Sequence, residues 1–175
     1  MRRGILIVYT GDGKGKTTSA LGIAIRSIGN GLKPAIIQFV KSSDLRTGER
    51  EFFERNLPNV KFSSIGAGFS WLPPRGYPSH KDAAVKAWME AESLLNDEEV
   101  DLVILDELNV ALSLGYLETH KVCETLRRFK ESKYIIVTGR GAPPELIELA
   151  DIATEMRKIK HTYDYGESAI KGIDF

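Results

Sequence analysis

Apolar and polar residues form alternating blocks along the chain, and these blocks predict strands and helices in turn. Mostly apolar runs at 5–9, 35–40, 100–105 and 134–137 are typical of strands that are buried on both faces. Stretches with apolar residues at helical spacing separate these runs. Because strands alternate with helices throughout, we predict an α/β fold with a mainly parallel sheet and helices on both faces.

Weaker patterns complete this outline. Residues 60–65 predict a third strand, and 153–160 predict a last strand at an edge of the sheet. The aromatic and acidic tail that follows is apolar enough that we expect it to pack back on the domain. The predicted helices are a first one ending near residue 28, then a short one carrying Phe52 and Phe53, then 80–96, 108–114 and 119–131.

Composition limits the classes of protein to consider. The 175 residues suffice for one domain, 1–175, and equal numbers of basic and acidic residues (24 each) argue against a nucleic-acid partner. The single cysteine, Cys123, allows no internal disulfide, and its apolar neighbours predict a buried thiol. No apolar run approaches ~18 residues and no signal peptide is evident, so we expect a cytoplasmic protein without a membrane partner.

The stretch 10–18 carries the strongest chemical signal. It reads Thr-Gly-Asp-Gly-Lys-Gly-Lys-Thr-Thr and lies between the first predicted strand and a helix. Glycines allow successive N–H groups to face inward, the helix N-terminus favours anions, and Lys16 adds a full charge. The end of the stretch fits the phosphate-loop pattern, although Thr10 stands where that pattern begins with glycine. The alternative is a glycine-rich turn without a ligand.

Two carboxylates end a later strand. Asp106 and Glu107 follow the apolar run 100–105, where a phosphate-loop protein places an acid near Mg²⁺. The Thr17 hydroxyl is a second candidate magnesium ligand. The alternative reading makes Asp106 the N-cap of the next helix.

Two other segments leave their roles open. Residues 66–78 form a long loop rich in aromatic residues, proline and glycine, which either binds a ligand or partner or packs on the domain. Arg140 follows the strand at 134–137 and either contacts a phosphate or makes a surface ion pair. Histidines 80, 120 and 161 have no metal-ligand spacing.

Taken together, these segments resemble the P-loop ATP:corrinoid (cob(I)alamin) adenosyltransferase family. The family's loop also has threonine in place of the first glycine, so the deviation at Thr10 supports the resemblance. The resemblance implies a single-domain P-loop NTPase-like fold. The matching segments are 10–18, 38–41, 68–71, 105–108, 138–141 and 172–175.

The resemblance implies an enzyme that transfers the 5′-deoxyadenosyl group of ATP to cobalt(I) of a corrinoid and releases triphosphate, in the synthesis or salvage of adenosylcobalamin. Lys16 and the loop N–H groups would stabilise the leaving triphosphate, and Thr17 and Glu107 would hold Mg²⁺. Arg26 matches a family arginine that reaches the nucleotide phosphates, and otherwise it is a helix-surface charge. The implied nucleotide-binding residues are Gly11, Asp12, Gly13, Lys14, Gly15, Lys16, Thr17, Thr18 and Arg26.

The resemblance also gives the aromatic loop a role. Phe69 and Trp71 match, in type and spacing, an aromatic pair that presses on the lower face of the corrin ring and displaces the axial ligand. With Lys16 they are the expected catalytic residues. We identify no general base in the sequence, and none is needed if cobalt(I) is the nucleophile.

Several expectations concern partners. The family implies an electron-donating reductase, a flavoprotein, and a possible homodimer. Some members have an N-terminal helical extension that covers the partner's site, and we expect none here because the first strand begins near residue 5. The competing functions are a P-loop ATPase, a small-molecule kinase and a non-catalytic corrinoid- or nucleotide-binding module.

Overall fold

The computed structural model describes residues 4–42, 44–68 and 79–174. Strands and helices alternate through these ranges, as the apolar blocks predicted. The helix at 80–96 has its predicted bounds, whereas the last strand is shorter than predicted and ends at Glu155. The elements are β1 (Ile5–Thr10), α1 (Lys16–Gly29), β2 (Pro34–Ser42), α2 (Gly48–Asn56), β3 (Lys61–Gly66), α3 (His80–Asn96), β4 (Leu102–Asp106), α4 (Leu108–Ser113), α5 (Thr119–Phe129), β5 (Tyr134–Thr138), α6 (Pro144–Leu149), β6 (Ile152–Glu155) and a 3₁₀ turn (Thr162–Tyr165).

The six strands form one sheet in the order β3-β2-β4-β5-β1-β6, and all neighbouring pairs are parallel. Helices cover both faces, because two separate apolar clusters lie on opposite sides of the sheet. One cluster packs α1 and α2 against the sheet. The other packs α3, α4, α5 and α6 against the opposite face. The predicted α/β class is confirmed.

Burial follows position in the sheet. Every residue of β4 is buried because it lies between neighbouring strands and beneath helices on both faces. Every residue of β6, at one edge of the sheet, is exposed, whereas β3 at the other edge has three buried residues. Cys123 on α5 is fully buried, so the predicted core thiol is confirmed.

The C-terminal tail departs from the expectation. Asp174 forms an ion pair with Lys14 of the glycine loop, but the apolar side chains of the tail are not buried. Tyr163, Tyr165 and Ile173 are 78%, 76% and 68% exposed. The tail therefore folds back through polar contacts and not through a hydrophobic core. Within the described ranges, no helix is long and apolar enough to cross a membrane.

Candidate nucleotide site

The glycine loop joins β1 to α1 at the carboxyl edge of the sheet. Gly11 and Gly15 have φ angles of +89° and +111°, which side-chain-bearing residues rarely adopt, so these two glycines permit the turn. Gly15 precedes the first turn of α1, and no side chain caps this helix. The first N–H groups of α1 therefore face the loop without a side-chain acceptor, an arrangement suited to an anion.

Lys16 lies beneath the loop and is only 8% exposed. Its ammonium group donates hydrogen bonds to the carbonyl oxygens of Gly11 (2.7 Å) and Gly13 (2.6 Å). Burial lowers the pKa of Lys16, and the Glu107 carboxylate opposes that shift. The loop thus surrounds a positive charge with its own backbone.

The Asp106 carboxylate connects four elements at the same edge. It is fully buried and accepts hydrogen bonds from Thr17 Oγ1 (2.8 Å), Thr138 Oγ1 (2.7 Å) and Gln38 Nε2 (3.0 Å). Ser64 Oγ in turn donates to Gln38 Oε1 at 2.8 Å. This buried network fixes the position of Thr17 relative to the strand ends. Gln38 belongs to the matching segment 38–41, but it was assigned no role from the sequence. A polar residue inside an apolar strand is the signal that could have indicated one.

Glu107, and not Asp106, precedes α4, so the reading of Asp106 as an N-cap is wrong. Glu107 has a φ of +63° and is the one non-glycine residue with positive φ in the described part of the chain. Burial, and then repulsion from Asp106, raise the pKa of Glu107 to about 7. Backbone strain and a perturbed carboxylate at one residue are typical of functional sites.

The donor set fits magnesium. Thr17, Asp106 and Glu107 supply hydroxyl and carboxylate oxygens, which are the ligands that Mg²⁺ prefers. The described residues contain no group of three or more His, Cys, Asp or Glu side chains placed to hold a metal. A site of this kind still suits Mg²⁺, because that ion commonly takes one or two carboxylates together with substrate phosphates.

Further charges line the rim of the site. Arg140 Nε lies 3.7 Å from Asp12 Oδ1, and both side chains are largely exposed. Lys41 Nζ, at the end of β2, lies 2.6 Å from Glu49 Oε1. Arg140 therefore makes the surface ion pair that the sequence left open, and this pair lies beside the loop.

Arg26 lies elsewhere. It is in the last turn of α1, ten residues beyond Lys16 and thus about 15 Å along the helix axis. There it lines a mainly apolar cavity of about 240 Å³ with Ile5, Leu102 and Tyr134, at the amino end of the strands. The structure does not bring Arg26 together with the loop residues.

Phe69 and Trp71 lie outside the described residues, but the chain on either side of them is defined. Gly68 donates its N–H to Val40 O at 3.1 Å, and Ser79 caps α3 by accepting from the Asp82 N–H at 3.0 Å. A narrow cleft separates these two ends, with His80 stacked on Tyr116 at 6.3 Å between ring centroids. Both ends of the aromatic segment therefore adjoin α4, the helix that Glu107 precedes.

Comparisons with known proteins identify the family of this chain. The family model for ATP:corrinoid adenosyltransferase BtuR/CobO/CobP matches residues 2–175. A corrinoid adenosyltransferase of Pseudomonas aeruginosa is 42% identical, covering 99% of this chain and 84% of that protein. One of Escherichia coli is 39% identical, covering 99% of this chain and 86% of that protein.

A solved structure shares the fold at low sequence identity. The flagellar accessory protein FlaH of Methanocaldococcus jannaschii superposes with a TM-score of 0.60 and 12% identity. The match covers 89% of this chain and 72% of FlaH. At this identity the likeness concerns the fold alone.

Proposed function

The chain belongs to the ATP:corrinoid adenosyltransferase family, and from this premise we propose how its own residues perform the transfer. It is a corrinoid adenosyltransferase with ATP and a corrinoid as substrates. The observation that carries the residue assignments is the buried Lys16 ammonium group beneath a glycine loop, with Thr17, Asp106 and Glu107 beside it. The reaction proposed is attack of cobalt(I) on C5′ of the ATP ribose, with triphosphate as the leaving group.

Lys16 and the loop are proposed to stabilise the leaving triphosphate. In the structure, Lys16 donates to two loop carbonyls, so its charge is already directed into the loop. The N–H groups between Gly11 and Thr17 supply further donors, except that of Gly13, which already donates to Met156 O at 2.6 Å. The first turn of α1 adds its partial positive charge. Preorganised donors of this kind act on charge that grows as the bond to C5′ breaks. Asp12, Lys14 and Thr18, all exposed at this end of α1, complete the proposed contacts.

Thr17 and Glu107 are proposed to hold Mg²⁺, which would supply charge neutralisation at the triphosphate. Asp106 holds Thr17 through the 2.8 Å hydrogen bond and is itself held by Gln38 and Thr138. The role of Asp106 is therefore to orient a hydroxyl ligand. We propose that Glu107, at the start of α4, faces the Thr17 hydroxyl, because its positive φ turns the chain there.

Phe69 and Trp71 are proposed to bind the corrinoid and exclude its lower axial ligand. The ends of their segment, at Gly68 and Ser79, support this, since both lie at the carboxyl edge of the sheet beside α4. A corrinoid bound there would lie beside the nucleotide. Large apolar side chains can exclude water and a competing ligand from that face of the ring.

Further proposals concern the setting of the reaction. We propose that the chain acts as one domain over 1–175, in the cytoplasm, as a homodimer. An electron-donating reductase, a flavoprotein, would supply cobalt(I). These proposals come from the family resemblance and from the composition of the chain.

The decisive experiment is anaerobic incubation of the protein with Mg-ATP and chemically reduced cob(I)alamin. The visible spectrum reports formation of the cobalt–carbon bond, and triphosphate is assayed in parallel. We expect a light-sensitive adenosylcobalamin spectrum with stoichiometric triphosphate. An unchanged spectrum, with ADP and phosphate formed without corrinoid, would instead indicate a P-loop ATPase.

A further inference from the structure

The chain beyond β6 runs directly against the glycine loop. Met156 donates its N–H to Thr10 O at 2.8 Å and accepts the Gly13 N–H at 2.6 Å. A Cβ added at Gly13 would lie 2.6 Å from Met156 O and 2.9 Å from Arg157 C. The loop therefore has a backbone neighbour that none of the proposed catalytic roles uses.

A second contact joins the loop to the end of the same segment. The Lys14 ammonium group makes an ion pair with the Asp174 carboxylate, 160 positions later in the chain. The other carboxylate oxygen, Asp174 Oδ2, accepts the N–H of Ile170 at 2.7 Å. Asp174 is 17% exposed at its side chain and Lys14 is 46% exposed. The Asp174 carboxylate is thus held in place by a hydrogen bond within its own segment, independently of its ion pair with Lys14.

This arrangement restrains a lysine that would otherwise be mobile. A lysine side chain loses substantial rotamer freedom when it is held in one place, and a side chain fixed in advance loses less on binding. The Ile170 N–H, and then Lys14, lower the pKa of Asp174, so the carboxylate is charged at neutral pH. Lys14 is therefore held by a permanent partner on the tail.

We propose that Asp174 is a positioning residue of the nucleotide site, and that it acts by holding Lys14 on the phosphate loop for the incoming triphosphate. The C-terminal segment 156–174 is then a part of the nucleotide site, joined to it by Met156 at one end and by Asp174 at the other. This inference rests on the proposed binding of ATP by the loop.

The test is Asp174→Asn, which keeps the acceptor for the Ile170 N–H and removes the charge. We expect KM and Kd for ATP to rise roughly two- to fivefold, the range of a partly exposed ion pair, with kcat changed less than twofold. Asp174→Glu, which keeps the carboxylate, should stay within twofold of the unmodified protein. The matched control is Asp164→Asn. Asp164 lies in the same segment and pairs with Lys158 at 2.7 Å, but that pair lies within the tail.

A double-mutant cycle separates positioning from a general structural role. In a Lys14→Met background, Asp174→Asn should produce no further rise in KM, because its partner is already gone. An equal rise in both backgrounds, or an effect no larger than that of Asp164→Asn, would overturn the proposal. Lys16→Ala separates a failure of the proposed nucleotide site from a failure of the role proposed for Asp174. If that variant is fully active, the loop is not the nucleotide site. If it is inactive while Asp174→Asn is unaffected, only the role of Asp174 fails.

Discussion

Gly13→Ala tests whether the C-terminal segment packs against the glycine loop as tightly as the structure shows. The φ of Gly13 lies outside the positive range that disfavours alanine, so the substitution changes space and not backbone preference. The new Cβ would lie 2.6 Å from Met156 O and 2.7 Å from Met156 C, whereas ordinary contact begins at 3.4 Å. The segment must therefore move away by about 0.8 Å, the difference between 3.4 and 2.6 Å.

That movement has an estimable consequence. It would lengthen the 2.6 Å hydrogen bond from the Gly13 N–H to Met156 O to about 3.4 Å, outside the usual range of about 2.7–3.2 Å, so this bond would be largely lost. Loss of one hydrogen bond costs about 1 kcal/mol, and overpacking a fixed backbone costs about 1–3 kcal/mol. We expect the free energy of unfolding to fall by about 2–4 kcal/mol, with weaker ATP binding.

Urea unfolding followed by circular dichroism measures the first effect, and titration calorimetry with ATP measures the second. Gly22→Ala is the matched control, because a Cβ at Gly22 meets nothing within 4 Å on α1. We expect this control to gain about 0.5–1 kcal/mol of stability from helix propensity. If Gly13→Ala matches the unmodified protein in both stability and ATP affinity, the close approach of Met156 is refuted.

Three further predictions address the reaction and the core. Lys16→Ala should weaken triphosphate binding and abolish adenosyl transfer, measured by calorimetry and by the corrinoid spectrum, and full activity would remove the loop from the mechanism. Replacing Phe69 and Trp71 with alanine should impair turnover from cobalt(II) more than from chemically reduced cobalt(I), and equal losses would indicate general packing instead. Burial raises the pKa of Cys123 to about 11, so the folded state holds the thiol proton more tightly than the unfolded state. The stability that this proton contributes is present below pH 9 and declines as the pH rises towards 11. Urea unfolding at pH 8 and pH 10 should show a larger loss in the unmodified protein than in Cys123→Ala, and equal losses would contradict the buried thiol.

The sequence by itself determined the class of fold, and it located the loop that we propose as the nucleotide site. Apolar runs such as 5–9 and 134–137 are local signals, and residues buried on both faces of a sheet must be apolar wherever the strands lie. The glycine loop is also local, since the loop residues proposed to bind phosphate lie within nine consecutive positions. For the same reason the bounds of α3 were predicted correctly from helical spacing alone.

Only the tertiary structure decided which residues meet at the site. The order of the strands places β2, β4, β5 and β1 side by side. This brings Gln38 on β2, Thr138 on β5 and Thr17, at the start of the helix after β1, onto Asp106. Local spacing cannot show such contacts, and the alternative that it left open, Asp106 as the cap of α4, is wrong. Arg26 is distant from the loop because ten residues of helix α1 separate it from Lys16.

Gly13 shows most clearly the difference between what the sequence predicts and what the tertiary structure decides. From the sequence it was expected to be one of the glycines that let the N–H groups of the loop face inward, and the resemblance placed it among the nucleotide-binding residues. The structure shows another constraint, because the Gly13 N–H donates to Met156 O, and Met156, which follows the edge strand β6, passes too close for any side chain. Close approach between segments more than 140 positions apart depends on how the whole sheet is assembled, and no local pattern encodes it.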